Sequence, residues 1–298
     1  MTFKQFALKV CWKLRPYFPS EAMYLKARFR IEMGYCLNLR HPKTFSEKIQ
    51  WLKLYNRRPE YTMMVDKYAV KKYVAQKIGD EYVIPTLGVW NNPEEIEWDK
   101  LPSRFVLKTT HGGGNYGVVV CKDKSQLDKQ QVIEKLKVSL RQDISYYSCE
   151  WPYKKVPRRI IAEEYLDPTP DPDLLEYKIF CFNGKVRFLK VNLGRSSGLH
   201  INFYNLDFEL LPFGEAWYPP NLEAEIKKPN NFDLMISLAE RLSAGQPLLR
   251  VDLYNVNGRI YFGELTFFPA SGLENYEPID WDRKIGDMLE LPKEKILS

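Results

Sequence analysis

LLRVDLYNVNGRIYFGELTF, residues 248–267, contains two runs in which apolar and polar side chains alternate on either side of an Asn-Gly pair. Alternation with a period of two is typical of a strand with one buried face, and Asn-Gly favours a tight turn. The segment therefore predicts a β-hairpin with strands over 248–254 and 259–267. A second hairpin is predicted over 177–182 and 186–192, with its turn at Asn183-Gly184.

The register of the hairpin at 248–267 decides whether its charged side chains meet. Arg250 and Asp252 share one face of the first strand. The alternation on the second strand predicts one face that carries Phe262, Glu264 and Thr266. A two-residue turn at Asn257-Gly258 would send Glu264 to the face opposite Asp252. A three-residue loop, Val256-Asn257-Gly258, would instead pair Arg250 with Glu264 and make the two acids diagonal neighbours, and we predict this loop.

Two carboxylates at neighbouring positions repel each other unless a cation lies between them. Mg²⁺ takes oxygen ligands and commonly binds nucleotide phosphates at the same time. Asp252 and Glu264 are therefore candidate magnesium ligands. The alternative is a surface ion pair between Arg250 and Glu264 without a metal.

Apolar periodicity divides the remainder of the chain between helices and strands. Helices are predicted within 1–60, with a start at the capping pattern Thr44-Phe45-Ser46-Glu47, and over 66–78, 125–143 and 232–244. Strands are predicted over 82–85, 104–110, 118–121, 159–165 and near 200–211. This order predicts an α+β fold with antiparallel sheets and flanking helices.

A glycine-rich loop, Gly112-Gly113-Gly114-Asn115-Tyr116-Gly117, separates two predicted strands. It matches the G-x-G-x-x-G pattern of dinucleotide-binding folds, but that interpretation requires a helix immediately afterwards, and Val118–Cys121 is strand-like. It also matches the glycine loop of protein kinases, yet the chain contains no H-R-D, D-F-G or Walker A sequence.

The loop is nevertheless suited to phosphate, because glycines let backbone N–H groups approach phosphate oxygens closely. Lys108 lies on the strand that enters the loop and adds a positive charge. Gly112, Gly113 and Gly114 are therefore candidate phosphate-binding residues. The alternative is a purely structural glycine turn, and we interpret His111 as a polar loop residue rather than a catalyst.

Composition excludes several classes of protein. With 298 residues, 45% of them hydrophobic and 28% charged, the chain is typical of a folded protein with two or three sub-domains. Five scattered cysteines without a Cys-x-x-Cys pair, and only three histidines, argue against a zinc site or a disulfide scaffold. Because neither a run of 18 apolar residues nor a signal peptide is found, we expect a soluble, cytoplasmic protein.

Positive charge is concentrated near the N-terminus. Residues 1–60 contain 13 Lys and Arg against four acidic residues, and they include aromatic residues such as Phe3 and Tyr17. Such a segment is suited to peripheral contact with an anionic membrane surface or polymer, and the alternative is a solvated helical face over the core. We expect no nucleic acid partner, because no recognised binding motif accompanies the charge.

The order of the short motifs resembles the ATP-grasp superfamily, and most closely its TupA-like branch, which occurs in bacterial polysaccharide gene clusters. The motifs are 44–51 with 54–55, 66–68, 105–108, 162–166, 177–184, 263–266 and 269–272. The resemblance implies two α+β sub-domains that clasp ATP between antiparallel sheets, with an added helical N-terminal segment. The expected divisions are a basic helical segment at 1–60, a linker or N-terminal sub-domain at 61–100, a small sub-domain with the glycine loop at 101–166, and a catalytic sub-domain at 167–298.

The resemblance also implies which residues bind the nucleotide. Lys67 and Lys108 would hold its phosphates beneath the glycine loop, and Glu176 would hold the ribose hydroxyls. The adenine would contact a hinge, largely through backbone groups, that consists of Glu163, Glu164, Tyr165 and Leu166.

The same resemblance assigns the charged residues of the catalytic sub-domain. Asp252 and Glu264 would bind Mg²⁺, with Thr266 where many relatives have a metal-binding Asn. Arg250 would neutralise the transferred phosphoryl group. The candidates for binding the acyl phosphate or the acceptor are Lys178, Lys190 and Arg195. Solvated strand positions are the alternative for these three cations.

These roles imply an ATP-dependent carboxylate–amine ligase. ATP would convert a carboxylate into an acyl phosphate that an amine then attacks, so the protein supplies positioning and charge rather than a nucleophile. The sequence has no recognisable Ser-His-Asp or Cys-His constellation, which agrees with this mechanism. The implied substrates are a uronic acid in a glycan or lipid-linked glycan and an amino acid or other amine, used in capsule or exopolysaccharide synthesis at the inner membrane face.

Two other functions remain open on the sequence alone. A glycosyltransferase would often carry a D-x-D metal motif, and Asp171-Pro172-Asp173 has that spelling, although an ordinary turn is the expectation for this proline-rich connection. A non-catalytic partner would bind Mg-ATP without turnover, but the complete set of lysines and acids argues against it.

Overall fold

A computed structural model describes residues 2–113, 117–169, 174–194 and 198–297. Within these ranges the chain forms two larger antiparallel sheets flanked by helices, which confirms the α+β prediction. The helices are α1 Phe3–Lys13, α2 Glu21–Met33, α3 Phe45–Tyr55, α4 Tyr61–Val65, α5 Val70–Ile78, α6 Lys129–Leu140, α7 Ile144–Ser148, α8 Phe232–Ser243 and α9 Asp280–Met288. The strands are β1 Thr86–Trp90, β2 Phe105–Thr109, β3 Val118–Cys121, β4 Ile160–Glu164, β5 Glu176–Phe182, β6 Lys185–Leu193, β7 His200–Tyr204, β8 Gly214–Glu215, β9 Leu248–Val256, β10 Arg259–Thr266 and β11 Tyr276–Glu277.

The smaller sheet has the strand order β1-β4-β2-β3. One of its faces packs on α6 in a cluster that contains the fully buried Phe105, Leu107 and Leu136. Val106 and Lys108 alternate with the two buried residues of β2, so they belong to the opposite face. This alternation positions Lys108 away from the core.

The larger sheet has the strand order β10-β9-β5-β6-β7. Its apolar face packs on α8 and on α3, where Phe45 lies 5.6 Å from Phe182, ring centre to ring centre. The start of α3 confirms the capping prediction, because the side chains of Thr44 and Glu47 each accept from the other's backbone N–H. Helix α3 is thus part of the main core, whereas α1 and α2 form a separate cluster around the buried Phe29.

Both predicted hairpins are present, and each turns on an Asn-Gly pair in the left-handed region. The φ angles are 53° and 76° at Asn183-Gly184 and 52° and 79° at Asn257-Gly258. Two consecutive positive φ angles make a two-residue turn whose twist matches that of the strands. The three-residue loop predicted at 256–258 is therefore wrong, since Val256 pairs with Arg259.

A β-bulge in β10 nevertheless restores the predicted meeting of the two acids. The register shifts between Phe262 and Glu264, so that Glu264 pairs with Asp252 directly rather than diagonally, and Thr266 pairs with Arg250. Because the bulge inserts one residue, Phe262 packs in the core. The expectation that Phe262 shares a face with Glu264 and Thr266 is therefore wrong as well.

The predicted strand over 82–85 is wrong, and the helix predicted from Asp66 begins later. The strand expected over 82–85 is instead a short 3-10 turn at Asp80–Tyr82, and β1 begins only at Thr86, after Pro85. Helix α5 begins at Val70 rather than at Asp66. The Asp66 carboxylate accepts hydrogen bonds from the backbone N–H groups of Tyr68 and Ala69, and this turn keeps the three residues outside the helix. Across the described residues, none of the helices is both long and apolar enough to cross a membrane.

Candidate active site

Residues of the four-stranded sheet and of the five-stranded sheet line two adjoining cavities. The larger has a volume of about 650 Å³ and the smaller about 220 Å³. Three side chains contribute to both: Lys108, Val118 and Tyr254. The two cavities therefore form one cleft, with an apolar end and a charged end.

The smaller cavity is the apolar end. Its walls include Ile84, Val106, Val118, Val120 and Leu174. All four predicted hinge residues, Glu163 to Leu166, lie along it, and the backbone leaves β4 at Glu164. An apolar pocket bordered by the end of a strand is suited to a flat heterocycle that hydrogen-bonds to backbone groups.

Glu163 has a second role that the sequence did not suggest. Its two carboxylate oxygens each lie 2.6 Å from an ammonium nitrogen, one of Lys71 and one of Lys108. Burial opposes ionisation of Glu163, but the two lysines outweigh it and lower the pKa of this carboxyl. Glu163 thus fixes Lys108 at the junction of the two cavities. The sequence analysis did not identify Lys71 as a site residue. Its spacing of four residues from Lys67 was the signal that could have indicated it.

Lys67 connects the glycine loop to the acidic hairpin. Its ammonium nitrogen donates to the Gly112 carbonyl at 2.6 Å and lies 3.5 Å from a Glu264 carboxylate oxygen. Gly113 lines the larger cavity. A Cβ at Gly112 would lie 2.4 Å from the Thr109 hydroxyl, so this position has no room for a side chain unless Thr109 moves. Gly114, the third candidate glycine, lies outside the described residues.

Asp252 is fully buried and lines neither cavity, but it contacts two residues, Arg250 and Lys178, that line the charged end. Its carboxylate accepts two hydrogen bonds from the Arg250 guanidinium, at 2.7 and 2.8 Å, and one from Lys178 at 2.6 Å. A buried carboxylate is tolerated only when it is paired and hydrogen-bonded in this way. The ion pair between Arg250 and Glu264 that the alternative expected is present at 3.0 Å, but Arg250 is buried, so the pair does not lie on the surface.

Glu264 lies beside Asp252 and faces the larger cavity. It accepts from Arg250 at 3.0 Å and from the Thr266 hydroxyl at 3.2 Å. Burial opposes its ionisation, but Lys67, Lys178 and Arg250 outweigh that effect and hold the pKa of Glu264 well below its usual range. Asp252 and Glu264 therefore both lie among cationic side chains.

The donor set is compatible with Mg²⁺. Among the residues that the structure describes, no three or more His, Cys, Asp or Glu side chains are grouped to hold a metal ion by themselves. Asp252 and Glu264 pair directly across two strands. Mg²⁺ is commonly bound through one or two carboxylates together with substrate phosphates, and Glu264 at the cavity wall with Asp252 directly beside it fits this mode.

Three further predicted residues belong to the same face of the sheet. Lys178 and Glu176 line the larger cavity, and their charged groups lie 2.8 Å apart. Lys190 pairs with Lys178 across β5 and β6 and lies 2.5 Å from Glu215. Both lysines are less than a tenth exposed, so the alternative of solvated strand positions is wrong for them. Arg195 and the Asp171-Pro172-Asp173 segment lie outside the described residues.

Lys190 belongs to a small ionisable cluster with Glu215 and Glu274. Burial, reinforced by the Glu215 charge, raises the pKa of Glu274 from 4.5 to about 7. Between these pH values the native protein binds more protons than the unfolded chain, so this group makes stability fall as pH rises. Glu274→Gln should therefore increase the free energy of unfolding at pH 8 by roughly 1–3 kcal/mol and leave it nearly unchanged at pH 4.

Thermal unfolding of Glu274→Gln at both pH values checks this expectation. Glu277→Gln, at an exposed position three residues further on, is the matched control and should change neither midpoint. Equal stabilisation at both pH values would show that the effect does not arise from titration of Glu274.

A strained turn that sequence reasoning left without a role also borders the cavity. Ala270 and Ser271 have φ angles of 46° and 57°, and Gly272 follows at 63°. Gln50 and the fully buried Lys53 hold this turn, for example through a 2.8 Å bond from the Lys53 ammonium to the Ser271 carbonyl. Burial lowers the pKa of Lys53 to about 8. Left-handed conformations of this kind persist where surrounding contacts over-determine them.

Solved structures with a similar fold share little sequence with this chain. A RimK-domain ATP-grasp protein of Sphaerobacter thermophilus is 12% identical, with a TM-score of 0.45 and coverage of 97% of this chain and 96% of that one. D-alanine–D-alanine ligase of Helicobacter pylori is 13% identical, with a TM-score of 0.43 and coverage of 83% and 70%. N5-carboxyaminoimidazole synthetase of Staphylococcus aureus, solved with ADP, is 15% identical, with a TM-score of 0.42 and coverage of 68% and 44%.

The chain thus spans less than half the length of the Staphylococcus synthetase but nearly all of the Sphaerobacter protein. No curated protein matches the chain. A family model described as TupA-like ATP-grasp matches residues 47–290. Because this match extends over most of the chain, from α3 to the end of α9, the protein belongs to the TupA-like ATP-grasp family and has the ATP-grasp fold.

Proposed function

We propose that the protein is an ATP-dependent carboxylate–amine ligase that acts through an acyl phosphate and releases ADP. One observation carries the proposal: Lys67, Lys108 and Glu264 line a charged cavity, Asp252 pairs with Glu264 just behind its wall, and this cavity continues into an apolar pocket at the hinge. A nucleoside triphosphate requires this arrangement, with an apolar pocket for its flat base and a charged cavity for its phosphates.

The nucleotide base would lie in the apolar pocket, against the backbone of 164–166. Lys108 stands at the junction, where the base side of the cleft meets the charged side. Lys67 and the backbone of Gly112 and Gly113 lie on the other side of that junction and would hold phosphate oxygens.

Asp252 and Glu264 would hold Mg²⁺, which neutralises phosphate charge when it is bound. Arg250 and Lys178 already contact Asp252 and lie at the cavity wall. They are placed to stabilise the negative charge of a phosphoryl group in transfer and of an acyl phosphate. Such preorganised cations replace the need for a nucleophilic side chain, because phosphoryl transfer depends mainly on positioning and charge.

The proposed substrates are a uronic-acid carboxylate in a glycan or lipid-linked glycan and an amino acid or other amine. The larger cavity supports a carboxylate substrate, since the cationic Lys178 and Arg250 line it. Its volume of about 650 Å³ leaves space for more than the phosphates. The resemblance to proteins of bacterial polysaccharide gene clusters supplies the uronate class.

ADP release in the presence of candidate uronate and amine pairs tests the proposal. ADP, phosphate and an amide product are expected only when both substrates are present, and EDTA should abolish turnover because the acids bind phosphate through a metal. Release of a nucleoside diphosphate from a sugar nucleotide would support a glycosyltransferase instead. ATP binding without turnover over a full panel of pairs would support a non-catalytic partner.

A further inference from the structure

The N-terminal helix carries apolar side chains on the side that faces away from the protein. We define these residues as the N-terminal stripe, with exposed fractions of 87% for Phe3, 52% for Phe6, 37% for Val10, 48% for Leu14 and 81% for Tyr17. Successive members are three or four residues apart, which places them along one side of α1 and of the turn that follows it. Five large apolar groups in line are thus left in water.

The surroundings of the N-terminal stripe are basic. Residues 2–20 contain no acidic side chain, and Lys9 and Lys13 are exposed on α1. At 100° per residue, these two lysines lie beside the stripe rather than opposite to it. The nearest acid along the chain, Glu21, is paired with Arg15 and Arg57.

Contacts on the other side of α1 fix its orientation. Cys11 is buried in the cluster formed with α2, and the Lys4 ammonium donates to the Glu32 carbonyl at 2.7 Å. The Thr2 capping box defines the start of the helix. Because these contacts hold one face of α1 against α2, the N-terminal stripe cannot turn inward without breaking them.

We propose that the N-terminal stripe docks on an anionic lipid bilayer, with α1 lying in the plane of the interface. Apolar side chains on one face with lysines beside them are what an interfacial helix requires: hydrocarbon beneath and negative headgroups alongside. An anionic polymer would leave the apolar stripe in water. A second copy of the chain would bring two basic segments together, which their like charges oppose.

The position of the stripe relative to the cleft gives this docking a use. The Arg15 guanidinium donates to the Ser145 carbonyl at 3.4 Å and lies 4.4 Å from the centre of the Tyr146 ring. Tyr24 of α2 donates to the Tyr147 carbonyl at 2.8 Å. These contacts join the two N-terminal helices to α7, whose first residue, Ile144, lines the larger cavity. This use rests on the proposed function: docking would tether the protein, with its cavity, to the surface at which a lipid-linked substrate is found.

Vesicle co-sedimentation tests the proposal with the full chain. Vesicles of phosphatidylcholine alone are compared with vesicles that contain about 30% phosphatidylglycerol, at low and high salt. The wild-type protein should bind the anionic vesicles at low salt and bind neutral ones about tenfold or more weakly. Equal binding to both kinds of vesicle, or no binding to either, would overturn the proposal.

Two variants separate the apolar contribution from the charged one. Phe3→Ser with Phe6→Ser, and separately Lys9→Glu with Lys13→Glu, should each weaken binding about tenfold or more. The matched controls are Leu222→Ser with Ile279→Ser and Lys227→Glu with Lys293→Glu, all at exposed positions elsewhere. These controls should bind like wild type.

The readouts exclude simpler explanations. Circular dichroism and ADP release without vesicles should be unchanged in every variant, because the substituted side chains are exposed and none of them lines either cavity. Light scattering after gel filtration should show no self-association that depends on Phe3 and Phe6. A dimer lost in the serine variant would show that a second copy occupies the stripe, and retained vesicle binding in that variant would contradict the lipid contact.

Discussion

Asp252→Asn is expected to lower ADP release by about 10³-fold. The carboxylate is fully buried and pairs with Glu264 across the hairpin, where the proposed metal-bound phosphates lie. Asparagine keeps the shape but removes the charge. Arg250 and Lys178 would then lose the anion that orients them, so both phosphate binding and charge neutralisation should fail.

Steady-state ADP release measures this effect, and a Mg²⁺ titration separates metal binding from folding. Glu264→Gln should behave in the same way, with a higher Mg²⁺ concentration needed for half-maximal turnover. Asp280→Asn is the matched control, because Asp280 is an exposed aspartate on α9 that pairs with Lys284 in the next helical turn. Turnover in Asp252→Asn close to that of Asp280→Asn would show that the metal assignment is wrong.

Gly263→Val is expected to lower turnover by about 10²-fold while the protein remains folded. A Cβ at this position would lie 3.0 Å from the Asp252 carbonyl oxygen and 3.1 Å from the Tyr254 ring. The branched side chain of valine needs more space still, so we expect the bulge to open. Glu264, the next residue, would then leave its place opposite Asp252.

Gly258→Ala is the control for this substitution, since it alters a glycine of the same hairpin. Its φ of 79° makes alanine strained, at a cost of about 1 kcal/mol, but no atom lies within 4 Å of the added Cβ. Thermal unfolding should therefore reveal a loss of stability in Gly258→Ala, and ADP release should be close to wild type. If Gly263→Val turns over equally well, the bulge is not what aligns the two acids.

Three acids in or beside the cleft are neutralised by cationic side chains of the protein itself. Asp252, Glu163 and Glu264 each lie within 3.5 Å of at least two cationic nitrogens or hydrogen-bond donors of cationic side chains. Buried ions paired in this way cost little in stability compared with single ones. The proposed phosphates and metal would replace some of these ion pairs when they bind. The charged side chains are therefore already in position before binding.

Local pattern determined much of this protein. Alternation and Asn-Gly pairs located both hairpins, and the Thr44–Glu47 pattern located the start of α3, because each depends on residues a few positions apart. The order of short motifs led to the family that the match over 47–290 shows. The acids at 252 and 264 were likewise found together, although the reasoning about the turn was wrong.

Tertiary structure alone decided how the site is assembled. The bulge at Gly263 aligns Glu264 with Asp252, and nothing in the alternation of β10 reveals which residue is extra. Lys71 and Lys108 meet at Glu163 from distant segments, and Lys53 holds Ser271 from 218 residues away. Such contacts depend on how the packed core places one element against another, and a linear pattern carries no information about distances between segments that meet only after folding.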